Sequence, residues 1–230
     1  MSQDDLKRQS AERAVELVED GMVLGLGTGS TARFALEALA QRRRRGELGD
    51  IVGVPTSVAT EQAAELLGIP LSTLEHHPHI DLTLDGADEV DPSLNLIKGL
   101  GGALLWEKIV ASASERLVIL VDESKLVERL GQHAPLPIEV VPFGWTTHQN
   151  AVRELGGEPA LRTRNGQPYR TDGAHYILDC RFGDGIADPR KVETTLRARV
   201  GVVETGLFLD MATTIVVGTR DGPRIMERQR

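Results

Sequence analysis

The sequence predicts an α/β protein with a Rossmann-like, mainly parallel sheet flanked by helices and a smaller inserted α+β domain. Three observations predict it. Short apolar runs (Val23–Leu26, Ile51–Val54, Ile80–Leu84, Leu117–Val121) alternate with stretches whose apolar residues return at helical intervals, the pattern of strands joined by crossover helices. Each run ends in glycine, hydroxyl, acid or lysine residues, and parallel sheets bind ligands at the carboxyl ends of their strands. After Leu130 the composition changes, with Pro135, Pro137 and Pro142 and then hairpin signals. The expected division is a catalytic α/β domain over 1–130 and 205–230, with a small α+β domain over 131–204.

Composition narrows the function. With 230 residues the chain is long enough for a full core. A formal charge of -8 and 3% aromatic residues lack the basic stripe and stacking platforms of a nucleic-acid surface. Cys180 is the only cysteine, so no intrachain disulfide can form and a reducing compartment is expected. The N-terminus has no apolar signal core and no run reaches a membrane span. A cytoplasmic protein is the expectation.

In chain order, residues 4–20 carry Leu6, Ala14, Leu17 and Val18 on one face, an amphipathic helix closed by Gly21. Lys7 on its first turn reads as a solvated cation from periodicity alone. Next, the strand Met22–Leu26 feeds Gly27-Thr28-Gly29-Ser30-Thr31 and a helix from about Ala32 to Ala40. Backbone N–H groups and the positive end of a helix face an anion at such a turn. The dinucleotide-binding glycine pattern fails at Ser30, and no Gly-Lys-Ser/Thr follows. The hydroxyls of Thr28, Ser30 and Thr31 suit a small phosphomonoester instead. Arg42 to Arg45 reads as a solvated run at a helix C-terminus. Strands are expected at Ile51–Val54 and Ile69–Leu74, around a helix from Val58 to Leu67. His76, His77 and His79 flank Pro78, where extended pre-proline geometry sends neighbouring side chains apart, so they read as a loop and no metal site is expected.

The strand Ile80–Leu84 then ends in Asp85-Gly86-Ala87-Asp88-Glu89, and Lys98-Gly99-Leu100-Gly101-Gly102 precedes a helix carrying Glu107. Carboxylates and a lysine are thus expected at one rim. The strand Arg116–Val121 ends in Asp122-Glu123-Ser124-Lys125. In the second part a strand at Ile138–Val141, a helix over Asn150–Leu155, a hairpin turn at Asn165-Gly166, a strand His175–Cys180 and a helix Pro189–Val200 are expected. Val203–Phe208 and Thr214–Gly218 are expected to rejoin the main sheet.

These segments carry a resemblance. Gly25-Leu-Gly-Thr-Gly-Ser-Thr31, Asp85-Gly-Ala-Asp-Glu89, Lys98-Gly-Leu-Gly-Gly102 with Glu107-Lys108, Asp122-Glu-Ser-Lys125 and Gly201-Val-Val-Glu-Thr-Gly-Leu-Phe208 stand in one order and spacing. Together the chain resembles ribose-5-phosphate isomerases of the A type over nearly its whole length. The resemblance implies cofactor-independent interconversion of D-ribose 5-phosphate and D-ribulose 5-phosphate in the non-oxidative pentose phosphate pathway, by a homodimer or larger oligomer. It makes Glu107 the base, and assigns substrate to Thr28, Gly29, Ser30, Thr31, Asp85, Gly86, Ala87, Asp88, Lys98, Gly99, Leu100, Gly101 and Lys125, with Lys7 brought toward the phosphate. Asp85, Asp88 and Lys98 join Glu107 in the catalytic set. Three positions depart from the pattern: Leu100 for a usual glycine, Leu105-Trp106 for more polar residues, and Thr205 for a common asparagine.

The chemistry agrees with the assignment. Shifting a carbonyl between C1 and C2 needs one carboxylate to move a carbon proton, and a cation or N–H groups to hold the enediolate charge. Two alternatives have a related fold, the first with a similar glycine-rich loop. A sugar-phosphate sensor would need a DNA-binding module that the residues before the first strand cannot hold. An amino-sugar phosphate deaminase or a coenzyme A transferase with a glutamate nucleophile is the other.

Overall fold

The computed structural model describes residues 1–228. In chain order the elements are α1 (Gln3–Val15), β1 (Val23–Leu26), α2 (Ser30–Arg44), β2 (Val52–Pro55), α3 (Val58–Leu66), β3 (Ile80–Gly86), β4 (Glu89–Val90), β5 (Leu96–Ile97), α4 (Leu104–Ser112) and β6 (Ser114–Asp122). They continue with β7 (Leu136–Val140), α5 (Gln149–Glu154), β8 (Gly157–Leu161), β9 (Thr163–Arg164), β10 (Gln167–Pro168), β11 (Tyr176–Phe182), α6 (Pro189–Arg197), β12 (Val202–Thr205), β13 (Leu207–Phe208), β14 (Thr214–Gly218) and β15 (Arg224–Glu227).

Two compact units result. Among the described residues the first comprises 1–87, 106–125 and 211–228. Its six-stranded sheet runs β15-β14-β6-β3-β1-β2, parallel throughout except for the antiparallel edge strand β15. Apolar residues of α1 (Ala11, Ala14, Val15) and α2 (Ala35, Leu36, Leu39) pack on Leu24, Leu26, Leu82, Leu84, Val118 and Leu120 of the strands. Val110 of α4 joins Val54 and Ile80 in a separate cluster. Strands buried on both faces read as continuous apolar runs, which is why these were easy to find in the sequence.

The second unit comprises residues 88–105 and 126–210. Its four-stranded antiparallel sheet has the order β12-β7-β11-β8. Leu136, Ile138, Val140, Leu178, Cys180 and Phe182 turn one face toward Val152 of α5 and toward Val192 and Leu196 of α6. A three-stranded sheet, β13-β5-β4, and the β9–β10 hairpin around Asn165-Gly166 complete the unit.

Four expectations need correction. Residues 69–74 form no strand, only a parallel bridge between Leu71 and Gly53, because Pro70 has no N–H to continue a ladder. The first helix stops at Val15, where Arg42 donates from Nη1 to the carbonyls of Val15 (2.7 Å) and Val18 (3.1 Å). Arg42 is therefore the C-terminal cap of α1, not a solvated surface charge, and α2 continues through the arginines to Arg44. Finally, Val203–Phe208 does not rejoin the main sheet: β12 pairs with β7 and β13 with β5. Gly206 fixes that path, donating its N–H to Pro137 (2.7 Å) and accepting that of Lys98 (2.9 Å). A Cβ there would stand 2.2 Å from the Lys98 carbonyl oxygen.

Candidate active site

In the first unit, Asp85 at the end of β3 is 1% exposed. Its Oδ1 accepts the N–H groups of Thr28 (3.1 Å) and Gly86 (2.7 Å). The glycine-rich turn reaches it because Gly27 has no side chain: a Cβ would lie 2.3 Å from Asp85 Oδ1 and 2.6 Å from its Cα. The Thr28 hydroxyl points into a cluster with those of Thr56 (2.8 Å), Ser57 (2.8 Å) and Thr60 (3.0 Å). Thr60 Oγ1 in turn donates to the Gly27 carbonyl (3.0 Å) and Thr56 Oγ1 to that of Leu26 (3.0 Å).

The turn then opens α2 at Gly29, whose φ of 112° belongs to glycine. No side chain caps this end of α2 and its first turn carries no acid. Gly29 and Ser30 are exposed and Thr31 is half-buried. Uncapped N–H groups at the positive end of a helix form an anion site. Lys7 lies on α1, whose Leu6 carbonyl packs on Gly218 so closely that a Cβ there would be 2.0 Å away. That contact sets Lys7 beside the carboxyl end of β14, and its side chain is 13% exposed, not solvated. Asp122 ends β6 and accepts from Gln3 Nε2 (3.3 Å) and the Ser124 N–H (3.0 Å). Lys125 closes the 3-10 turn Glu123–Lys125 that follows. Glu107, in the first turn of α4, is 4% exposed.

In the second unit, Asp88 donates its N–H to the Ile97 carbonyl (2.8 Å), and its Oδ2 accepts the Leu100 N–H (3.0 Å). Lys98 is buried, with Nζ 5.4 Å from the Phe208 ring centroid, a cation–π contact. Gly99 and Gly102 have φ of 107° and 88°, whereas Leu100 is not among the non-glycine residues with positive φ. Leucine in place of the family's usual glycine at 100 therefore carries no positive-φ strain. Trp106, in the first unit, lines a cavity of about 360 Å³ with Val54, Pro55, Leu74 and Ile109. Thr205 is buried and its N–H donates to Glu204 Oε1 (2.7 Å).

The histidines do not converge. His77 Nδ1 pairs with Ser72 Oγ (2.7 Å) and His76 Nδ1 with Thr73 Oγ1 (3.1 Å). Among the described residues no group of three or more His, Cys, Asp or Glu side chains is arranged to hold a metal ion. Sequence reasoning missed Thr56, Ser57 and Thr60. The signal available was Ser57, which caps α3 by accepting the Thr60 N–H (3.0 Å).

Comparison with known proteins gives a consistent outcome. The family model described as Ribose 5-phosphate isomerase A (phosphoriboisomerase A) matches residues 52–222. A Ribose-5-phosphate isomerase A from Gloeobacter violaceus is 56% identical over 98% of this chain and 97% of its own length. A solved D-ribose-5-phosphate isomerase in complex with phospho-erythronic acid superposes with a TM-score of 0.96 at 42% identity, covering 99% of this chain and 100% of that one. The ribose 5-phosphate isomerase of Plasmodium falciparum superposes with a TM-score of 0.95 at 41% identity, with coverage of 99% and 100%.

Proposed function

The chain belongs to the ribose 5-phosphate isomerase A family, and from that premise we propose that Glu107 is the base that interconverts D-ribose 5-phosphate and D-ribulose 5-phosphate. The Glu107 carboxylate takes the proton from C2 of the open-chain aldose. The C–H electron pair becomes the C1–C2 double bond and the carbonyl pair moves onto O1, giving the enediolate. Returning the proton to C1, as the C2 hydroxyl proton passes to O1, yields the ketose. The Lys98 ammonium holds the developing oxyanion. Asp85 and Asp88 move hydroxyl protons and help open the sugar ring.

The phosphate is assigned to the open N-terminus of α2, with Thr28, Gly29, Ser30 and Thr31, and to Lys7 and Lys125. Gly86, Ala87, Gly99, Leu100 and Gly101 complete the substrate set through the chain segments that carry Asp85, Asp88 and Lys98. The observation that carries the reading is the burial of Glu107. Taking a carboxylate out of water costs free energy that packing alone does not justify, and such groups concentrate where chemistry needs them.

Glu107→Gln keeps size and hydrogen-bonding reach but removes the base. We expect isomerisation to fall by at least ~10²-fold while ribose 5-phosphate still binds by calorimetry. In D₂O the native enzyme should place deuterium on C1 or C2, and the variant almost none. Near-native exchange by the variant would move the base elsewhere.

A homodimer is expected as the working form, to be checked by light scattering on the eluting protein. The cytoplasm fits the single cysteine, Cys180, which is free and buried.

A further inference from the structure

The peptide joining Gly99 to Leu100 is held at both ends by charge. Its N–H donates to Asp88 Oδ2 (3.0 Å), and its carbonyl accepts from Arg162 Nη1 (2.9 Å). The same Nη1 reaches the next carbonyl, Leu100 O (3.1 Å). We propose that Arg162 is a positioning residue for Asp88, acting through this peptide; the inference rests on Asp88 belonging to the catalytic set.

Arg162 is itself fixed. Nε and Nη2 bind Asp179 Oδ2 (2.9 Å) and Oδ1 (2.5 Å) as a two-pronged fork, and the Arg162 side chain is 13% exposed. Asp179 lies within β11, opposite Pro137 of β7 and Ala160 of β8, so the anchor is the middle of the four-stranded sheet. The Arg162 N–H donates to Ile177 (2.8 Å), and its carbonyl accepts the N–H of Tyr169 (2.9 Å), whose ring lies 5.8 Å from the guanidinium. Tyr169 also holds the loop's far end: a Cβ on Gly102 would meet its hydroxyl at 2.2 Å.

The loop needs this restraint because of its glycines. With Gly99 at a φ of 107° and Gly101 and Gly102 following, the loop has little steric resistance of its own on the glycine side of the Gly99–Leu100 peptide, where ψ of Gly99 is free to turn. Such a rotation would turn the N–H away from Asp88. Two adjacent carbonyls bound by one planar guanidinium oppose it, because a flip of the first would forfeit a charge-assisted bond. Lysine, a single point charge, cannot hold both the Asp179 carboxylate in a fork and two carbonyls at once.

The test is a double-mutant cycle read by steady-state isomerisation of ribose 5-phosphate, with thermal melts to confirm that each protein is folded at the assay temperature. Arg162→Lys should lower kcat by about tenfold or more while KM changes by less than about threefold, as expected for misplaced catalytic geometry. On an Asp88→Asn background the same substitution should cost less than about twofold, because the group it positions is already disabled. An equal fold-loss on both backgrounds, or a native kcat in Arg162→Lys, overturns the proposal. If Arg162→Lys does not stay folded, Asp179→Asn loosens the fork while keeping the guanidinium. It should give a smaller kcat loss with the same non-additivity, and additivity there overturns the proposal equally. A native rate in Asp88→Asn alone sinks the assignment of Asp88, a different failure from additivity between working and disabled sites.

Discussion

Glycine at 27 answers a need for space, because the turn after β1 lies against Asp85 with no room for a methyl group. Gly27→Ala would drive a Cβ against both the Asp85 carboxylate and the Asp85 Cα. We expect a loss of about 1–3 kcal/mol or more in stability, read by denaturant unfolding. Isomerisation should fall further than the folded fraction does, since Asp85 must move. Single residues were unevenly legible in the sequence. Asp85 and Lys98 stood out because charged types seldom follow buried strands without cause, and Glu107 because it opens the helix after the glycine-rich loop. The hydroxyls of Thr56, Ser57 and Thr60 did not, because serine and threonine are ordinary turn residues and their convergence on Thr28 depends on β2 pairing beside β1. Lys7 looked solvated because helical periodicity says nothing of how closely α1 sits on Gly218.

Among elements, α1 owes its end to a residue on α2. Carbonyls in the last turn of a helix have no partner within it; Arg42 supplies one to Val15, the last residue of α1, and also binds the Val18 carbonyl in the turn beyond, while Nε binds Glu47 Oε2 (3.1 Å). Arg42→Ala should therefore cost about 1.5–3 kcal/mol, the range for hydrogen bonds to a charged group, and calorimetric melting should show a Tm lower by several degrees. A melt unchanged within error would return Arg42 to the solvated run. The strands of the main sheet were legible because burial on both faces leaves an unbroken apolar run. β12 was not separable from them, since Val-Val-Glu-Thr has the length and β-branched residues of a strand in either sheet, and its ladder with β7 and the backbone bonds of Gly206 exist only in the fold. Likewise Ile69–Leu74 has the composition of a strand and lacks the donor at Pro70.

For the whole molecule, acid stability has an identifiable contributor. His148 is buried, and burial followed by the nearby Arg199 charge lowers its pKa below the ordinary histidine value of about 6.5. The unfolded chain therefore binds a proton near pH 6.5 that the folded protein refuses. This contribution is present above pH 6.5 and is lost as pH falls through the lowered folded value. We expect Tm to drop on acidification below pH 6.5, and the drop to be shallower in His148→Gln; identical slopes would exonerate His148. Cys180 carries a different consequence. It is the only thiol in the chain, sits at 0% exposure in the core of the second unit, and its acidity is suppressed by burial. A reagent that alkylates thiolates can reach it only when that core comes apart. The protein thus contains its own clock for opening events in one half. Under native conditions labelling should run at least about 10³-fold slower than in denaturant, at a rate set by how often the β7–β11–β8 core opens.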